Sequence, residues 1–327
     1  MAAIDGDDDD ARDRRFADNE GNKAIDALFI VAQHDGCKWA DECRFVKDLC
    51  RATRVETGLW SAMSRVRYGR RKRTLLMYEA CHGRLDRVQW LLARGAPRDA
   101  RDYIGRTALF WAGECGHADI IRALIAADAD VDTANNNGDT PLMEASWRGH
   151  SEIVHELIAA KAGIDIVDIA GRTALHSASE KGVTDIVNAL IVANASVDIV
   201  DGFGRTPLHH ASNFNRIDNV HALLAAHANV DITDNNGDTP LLIASWEGNI
   251  DIVRALIVAS ADVNISGARG RTPLDFAIHF NLESIVNALI EAGATPGPES
   301  DDWSDEEDED AIEVDGDASD VDLEAAA

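Results

Sequence analysis

Few residues in this sequence could do metal or covalent chemistry. His34, Cys37, Cys43 and Cys50 carry ligand atoms suited to zinc. Their spacings are irregular and helical, whereas zinc modules present close Cys-x2-Cys pairs, so thiols buried between helices are the better reading. Cys81 and Cys115 complete an odd set of five cysteines with no secretory signal before them, which reads as reduced thiols in a cytoplasmic or nuclear protein. His and Ser recur where a repeat places them, as in His176-Ser177 and His209-His210. No Gly-rich phosphate loop or HExxH pair accompanies them. The expectation is a chain that is not an enzyme, with no cofactor, no metal and no small-molecule substrate.

The histidines sit where they do because of a period. GRT, GDT, GRT, GRT, GDT and GRT surround Thr107, Thr140, Thr173, Thr206, Thr239 and Thr272, 33 residues apart each time. Thr74, in KRT, lies one step earlier, with Lys72 in place of the glycine. Seven units follow, 69–101, 102–134, 135–167, 168–200, 201–233, 234–266 and 267–299. Leu recurs two and seventeen residues after each Thr, and Val or Ile fourteen after. Runs such as Ile120, Ile121, Leu124 and Ile125 have helical spacing. The Thr is a good N-cap, and Pro141, Pro207, Pro240 and Pro273 fit a first helical turn. Nine after each Thr stands Gly, or Asn at 215 and 281, which points to left-handed backbone between two helices. Polar stretches such as Asn135-Asn136-Asn137-Gly138-Asp139 then turn the chain. Each unit is therefore a short helix, a tight turn, a longer helix and a polar β-turn. One such pair cannot bury its own apolar face, but stacked neighbours can.

Asp201 to Val230, DGFGRTPLHHASNFNRIDNVHALLAAHANV, resembles the ankyrin repeat. Thr206-Pro207-Leu208-His209 matches the core motif of that family, and Thr173-Ala174-Leu175-His176 nearly does. The resemblance implies an all-α repeat solenoid, an array of helix–turn–helix–β-turn units whose β-hairpin fingers project at about a right angle. The departures from the pattern also matter. The glycine that ends the second helix survives as Gly95 and Gly293, and is replaced by Asp128, Lys161, Asn194, His227 and Ser260. Non-glycine residues in left-handed backbone cost about 1 kcal/mol each. The motif histidine gives way to Phe110, Met143, Leu242 and Asp275, which is expected to weaken hydrogen bonds between units. Glu79 stands where a small Ala recurs, so the first unit reads as an N-terminal cap with a wet outer face.

The resemblance also implies that an unidentified protein partner binds across the exposed first-helix positions and the fingers. Carried over position by position, the first-helix candidates are Trp147, Arg148, Glu180, Lys181, Phe214, Trp246, Glu247 and Phe280. The finger candidates include Tyr103, Arg106, Phe203 and Arg205. Trp, Phe and Arg are the residue types enriched where interfaces concentrate their energy. Trp147 and Trp246 are 99 residues apart, three units, within a shared NNGDTPL…ASW text that points to duplication.

The net charge of −27 lies mostly at the ends. Residues 1–22 hold 8 acidic and 3 basic residues, and 299–327 hold 15 acidic and none basic, leaving 35 acidic against 28 basic between them. Both tails, 1–22 and 300–327, are expected to be disordered. This charge disfavours nucleic-acid binding, and no apolar run reaches the 18 residues of a membrane span. Residues 23–68 read as a helical N-terminal region. Within it, residues 43–63 faintly resemble the second half of an F-box, ending in Leu59-Trp60 without the usual Leu-Pro start, which would make the chain a ubiquitin-ligase substrate adaptor. The basic run 65–73, RVRYGRRKR, suits a nuclear-import signal, a nucleic-acid contact or a solvated linker face. Ser304 and Ser319 each have an acidic residue three positions on, which resembles a casein kinase 2 site. The acidic tails offer a third reading, a binder of basic proteins.

Overall fold

A computed structural model describes residues 67–68 and 73–297. The candidate zinc ligands, the F-box-like stretch, Ser304, Ser319 and both acidic tails lie outside the described residues. Strands β1 (Arg67–Tyr68) and β2 (Arg73–Thr74) form a two-residue antiparallel ladder within the basic run. Fourteen helices follow among the described residues, in pairs. The first helices are α1 (Leu75–Cys81), α3 (Ala108–Cys115), α5 (Pro141–Arg148), α7 (Ala174–Lys181), α9 (Pro207–Asn213), α11 (Pro240–Trp246) and α13 (Pro273–His279). The second helices are α2 (Leu85–Ala93), α4 (Ala118–Ala126), α6 (Ser151–Ala159), α8 (Thr184–Val192), α10 (Ile217–Ala225), α12 (Ile250–Val258) and α14 (Glu283–Glu291).

The repeated threonines start the first helices for the reason their chemistry suggests. Thr74, Thr107, Thr140, Thr206, Thr239 and Thr272 sit in extended backbone, and each Oγ1 accepts the N–H three residues on at 3.2–3.4 Å. Each first helix packs on the first helix of the next pair, and each second helix on the next second helix. The Leu positions two and seventeen after each Thr, together with the buried Ile and Val of the second helices, form one continuous core. The inner helices are held by neighbouring pairs on both sides, and the two end pairs by one neighbouring pair each.

The left-handed positions fall where the sequence places them. Asn215 and Asn281 have φ of +54°, and Asp128, Lys161, Asn194, His227 and Ser260 have φ between +57° and +66°. Each of the last five follows a second helix and donates its N–H back into that helix's last turn, as Lys161 does to the Ile158 carbonyl at 2.9 Å.

The lost histidines are only partly a loss. His176 and His209 accept the N–H of Thr173 and Thr206 on Nδ1, at 3.1 and 3.0 Å, so Nε2 carries the proton. Nε2 then donates to the next unit's carbonyl, of Arg205 and of Asp238, each at 3.1 Å. Burial pushes both rings down to about 4, so both are neutral. Where the histidine is missing, Asp275 keeps the local bond, from the Thr272 N–H at 2.8 Å, and adds one within its own unit, from the Gly297 N–H at 3.1 Å. Met77 and Met143 sulfurs accept only the local bond, from the N–H groups of Thr74 and Thr140. The expected wet face at the first unit is not observed at Glu79. That residue is 1% exposed, and its two carboxylate oxygens each meet an arginine, Arg84 and Arg87, at 3.2 Å. A buried carboxylate paired twice is stable there where an unpaired one would not be.

Candidate protein-interaction face

The fingers are built on an aspartate. Asp102, Asp168, Asp201 and Asp234, with Asn135 as the amide equivalent, accept two backbone N–H groups on one side-chain oxygen at 2.8–3.0 Å. That bond closes the turn. Successive fingers are tied by backbone bonds: Asn136 N–H to the Ile104 carbonyl, Ile169 to Asn137, Gly202 to Ala170 and Asn235 to Phe203, at 2.6–2.9 Å. The fingers therefore form a bonded row without regular strands.

At the row's tips, Tyr103 and Phe203 are 50% and 52% exposed, and Ile169 is more exposed still. The arginines at the base of the fingers behave differently. Arg106 is buried, pairing with Asp102 at 3.3 Å and with Glu114 at 3.1 Å. Arg205 is half-buried and pairs with Asp234 at 3.3 Å. Both support the fingers and are not open contact residues.

Along the first helices the face divides in two. Toward the N-terminus its charges neutralise one another. Glu114 joins Arg106 to Arg148, which also pairs with Glu144 at 2.8 Å. Burial pushes the Glu144 carboxyl up from its ordinary range, against the pull of Arg148. The exposed Lys181 places its ammonium 3.4 Å from the centre of the half-buried Trp147 ring. Glu180, expected to be exposed, is buried. It lies 4.0 Å from Nδ1 of His210, whose Nε2 bonds Asp201 at 2.9 Å. Burial raises the Asp201 carboxyl, but the bonds from His210 and the Arg205 N–H outweigh it and hold it below the usual range.

Toward the C-terminus the face is aromatic. The half-buried Trp246 packs on Phe276 and Phe280, with ring centres at 4.8 and 5.7 Å. Phe280 remains 43% exposed, beside exposed Ile278. Phe214 is half-buried at the end of α9, and Glu247 is exposed at the end of α11. Partial desolvation raises the Glu247 carboxyl, and burial followed by the charge of Asp234 pushes Asp238 up to about 6.

Two residues of this face escaped the sequence reading. Trp111 lies between two guanidinium groups, Arg73 at 3.6 Å and Arg106 at 3.7 Å, and donates its indole N–H to Asp102. Phe276 is the buried member of the aromatic cluster. Both stand four residues after a repeat threonine, where Ser177 and His210 also stand, so that register was the available signal.

Paired helices on a 33-residue period, with bonded finger turns along one side, define a helical repeat solenoid. The family model of ankyrin repeats matches it in three overlapping stretches, 76–170, 152–234 and 215–299, and the chain belongs to the ankyrin repeat family. Among solved structures it is similar to the human ASB11 ankyrin repeat domain: 27% identity, TM-score 0.61, covering 68% of this chain and 100% of that one. It is also similar to the ankyrin repeat domain of Bcl-3, described as a unique member of the IkappaB protein family, at 26% identity and TM-score 0.60, covering 67% and 98%. No curated protein matches the chain. The family makes the described part a protein–protein interaction module. Among the described residues, no helix is long and apolar enough to cross a membrane.

Proposed function

We propose that the chain is a non-catalytic binding protein that holds a protein partner across its first helices and finger tips, with the strongest contacts at the C-terminal end. The observation that carries this reading is the partly exposed cluster of Trp246, Phe276 and Phe280, a preformed aromatic surface in an otherwise charge-neutralised face. Tyr103 and Phe203 at the finger tips supply further amphipathic contacts. The two buried histidines support the non-catalytic reading, because both nitrogens of each ring are committed to structural hydrogen bonds.

Affinity capture from cell extract with the whole chain, compared with Trp246→Ala/Phe280→Ala, tests the face. The double variant should keep its helical circular dichroism and lose a partner that the wild type retains. Retention of every captured protein would reject this face.

A further inference from the structure

Helices α1 and α3 both end on a cysteine, Cys81 and Cys115. The two sulfurs are 2.7 Å apart, against about 2.05 Å in a disulfide. Both are thiols, both are half-buried, and they come from adjacent repeats. Each residue keeps part of its surface open to solvent.

We propose that Cys81 and Cys115 are an oxidation site, closing to an intramolecular disulfide with a hydroperoxide as oxidant and stapling the first repeat to the second. The chemistry balances with those three components. The Cys81 sulfur attacks the peroxide oxygen, the O–O bond breaks, and an alcohol, or water from hydrogen peroxide, leaves with the Cys81 proton. The sulfenic acid formed on Cys81 is then attacked by the Cys115 sulfur. The S–S bond forms, the S–O bond breaks, and the hydroxyl leaves as water with the Cys115 proton. Two thiols are oxidised by two electrons and one peroxide is reduced.

The thiol of Cys115 is held far up by its hydrogen bond to Cys81, then by burial and by the Cys81 and Glu114 charges, against a smaller opposing effect of Arg73. Cys81 and Cys115 share one hydrogen bond, so the same steps hold with either sulfur attacking first and the other resolving. The bridge would fix α1 against α3 beside Glu114, the carboxylate that joins Arg106 to Arg148, so it rigidifies the N-terminal end of the interaction face.

Peptide mapping of the whole chain after hydrogen peroxide treatment tests this. Tryptic peptides 74–84 and 107–122 carry the two cysteines, and neither contains Cys37, Cys43 or Cys50. The expected product is these two peptides linked, 2 Da lighter than their reduced sum, from a chain that remains monomeric on a non-reducing gel. Its midpoint of thermal unfolding should rise by about 5 °C and return on reduction. Cys81→Ala and Cys115→Ser should each abolish the link and the shift. The proposal is overturned by recovery of both peptides unlinked, by sulfinic acid on either cysteine as the main product, by a link to Cys37, Cys43 or Cys50, or by a bridge between two chains.

Discussion

Repeats three and six share the text NNGDTPL and ASW, yet their tryptophans live in different surroundings. Trp147 carries an ammonium on its ring face, from Lys181 of the next repeat. Trp246 carries two phenyl rings, Phe276 and Phe280, also from the next repeat. Lys181 and Phe280 occupy the same register, eight residues after a threonine. Shared local sequence thus gives the same threonine cap and a proline-led first helix in both repeats, while the neighbouring repeat decides what the shared tryptophan does. In a linear stack, every surface side chain is half-defined by a unit 33 residues away.

The largest effects should show that the two repeats are equivalent in their cores. Leu157 and Leu256 are fully buried at matching positions. Leu157→Ala and Leu256→Ala should each cost about 2–5 kcal/mol in urea unfolding. A difference between them larger than about 2 kcal/mol would show that position in the stack outweighs local packing.

The next effect is acidic and one-sided. Repeat six is tied to repeat five by His209, whose Nε2 donates to the Asp238 carbonyl; Leu242 of repeat six makes no such bond. Folded His209 titrates near 4, below its ordinary 6.5, so between these values the unfolded chain binds the extra proton. Stability therefore falls as pH drops from 6.5 toward 4, by a few kcal/mol for this ring. Asp238 works in the opposite sense: raised from 3.8 to about 6, it costs stability as pH rises through that window and relieves part of the histidine loss on acidification. His209→Leu, which makes repeat five resemble repeat six here, should reduce the pH dependence of the urea midpoint between 6.5 and 4 and leave the share that His176 contributes. An unchanged slope would place the acid sensitivity elsewhere.

Smaller and stabilising effects should appear at the helix ends. Lys161 and Ser260 close repeats three and six with φ of +64° and +66°. Lys161→Gly and Ser260→Gly should each raise stability by up to about 1 kcal/mol, seen as a higher thermal midpoint.

Effects of similar size discriminate the two tryptophans directly. Double-mutant cycles should give a coupling of about 0.5–1 kcal/mol for Trp147 with Lys181, and about 0.5–1.5 kcal/mol for Trp246 with Phe280. Lys181→Phe should give Trp147 a coupling of the second kind. If both couplings vanish, the rings are independent of their neighbours.

Much of this was legible because it is local. A threonine that caps a helix, a proline in its first turn and an asparagine that tolerates positive φ act within a few residues, so Thr206, Pro207 and Asn215 announce themselves. The interaction face was legible only as a register. Exposure at that register did not follow: Glu180 is buried beside His210, and Arg106 is held by Asp102 and Glu114. Glu79 was misread for the same reason, since Arg84 and Arg87 fold back onto it across the turn between α1 and α2.

The sequence alone determined the period, the helix pairs, their caps and left-handed ends, and the all-α repeat solenoid they build. Those follow from backbone preferences and from apolar spacing that only stacking can satisfy. The tertiary structure decided which charges are neutralised, which ring faces are covered, and that Cys81 meets Cys115. Such contacts join residues about one repeat apart, and their distances are set by how helices pack, which no residue specifies by itself.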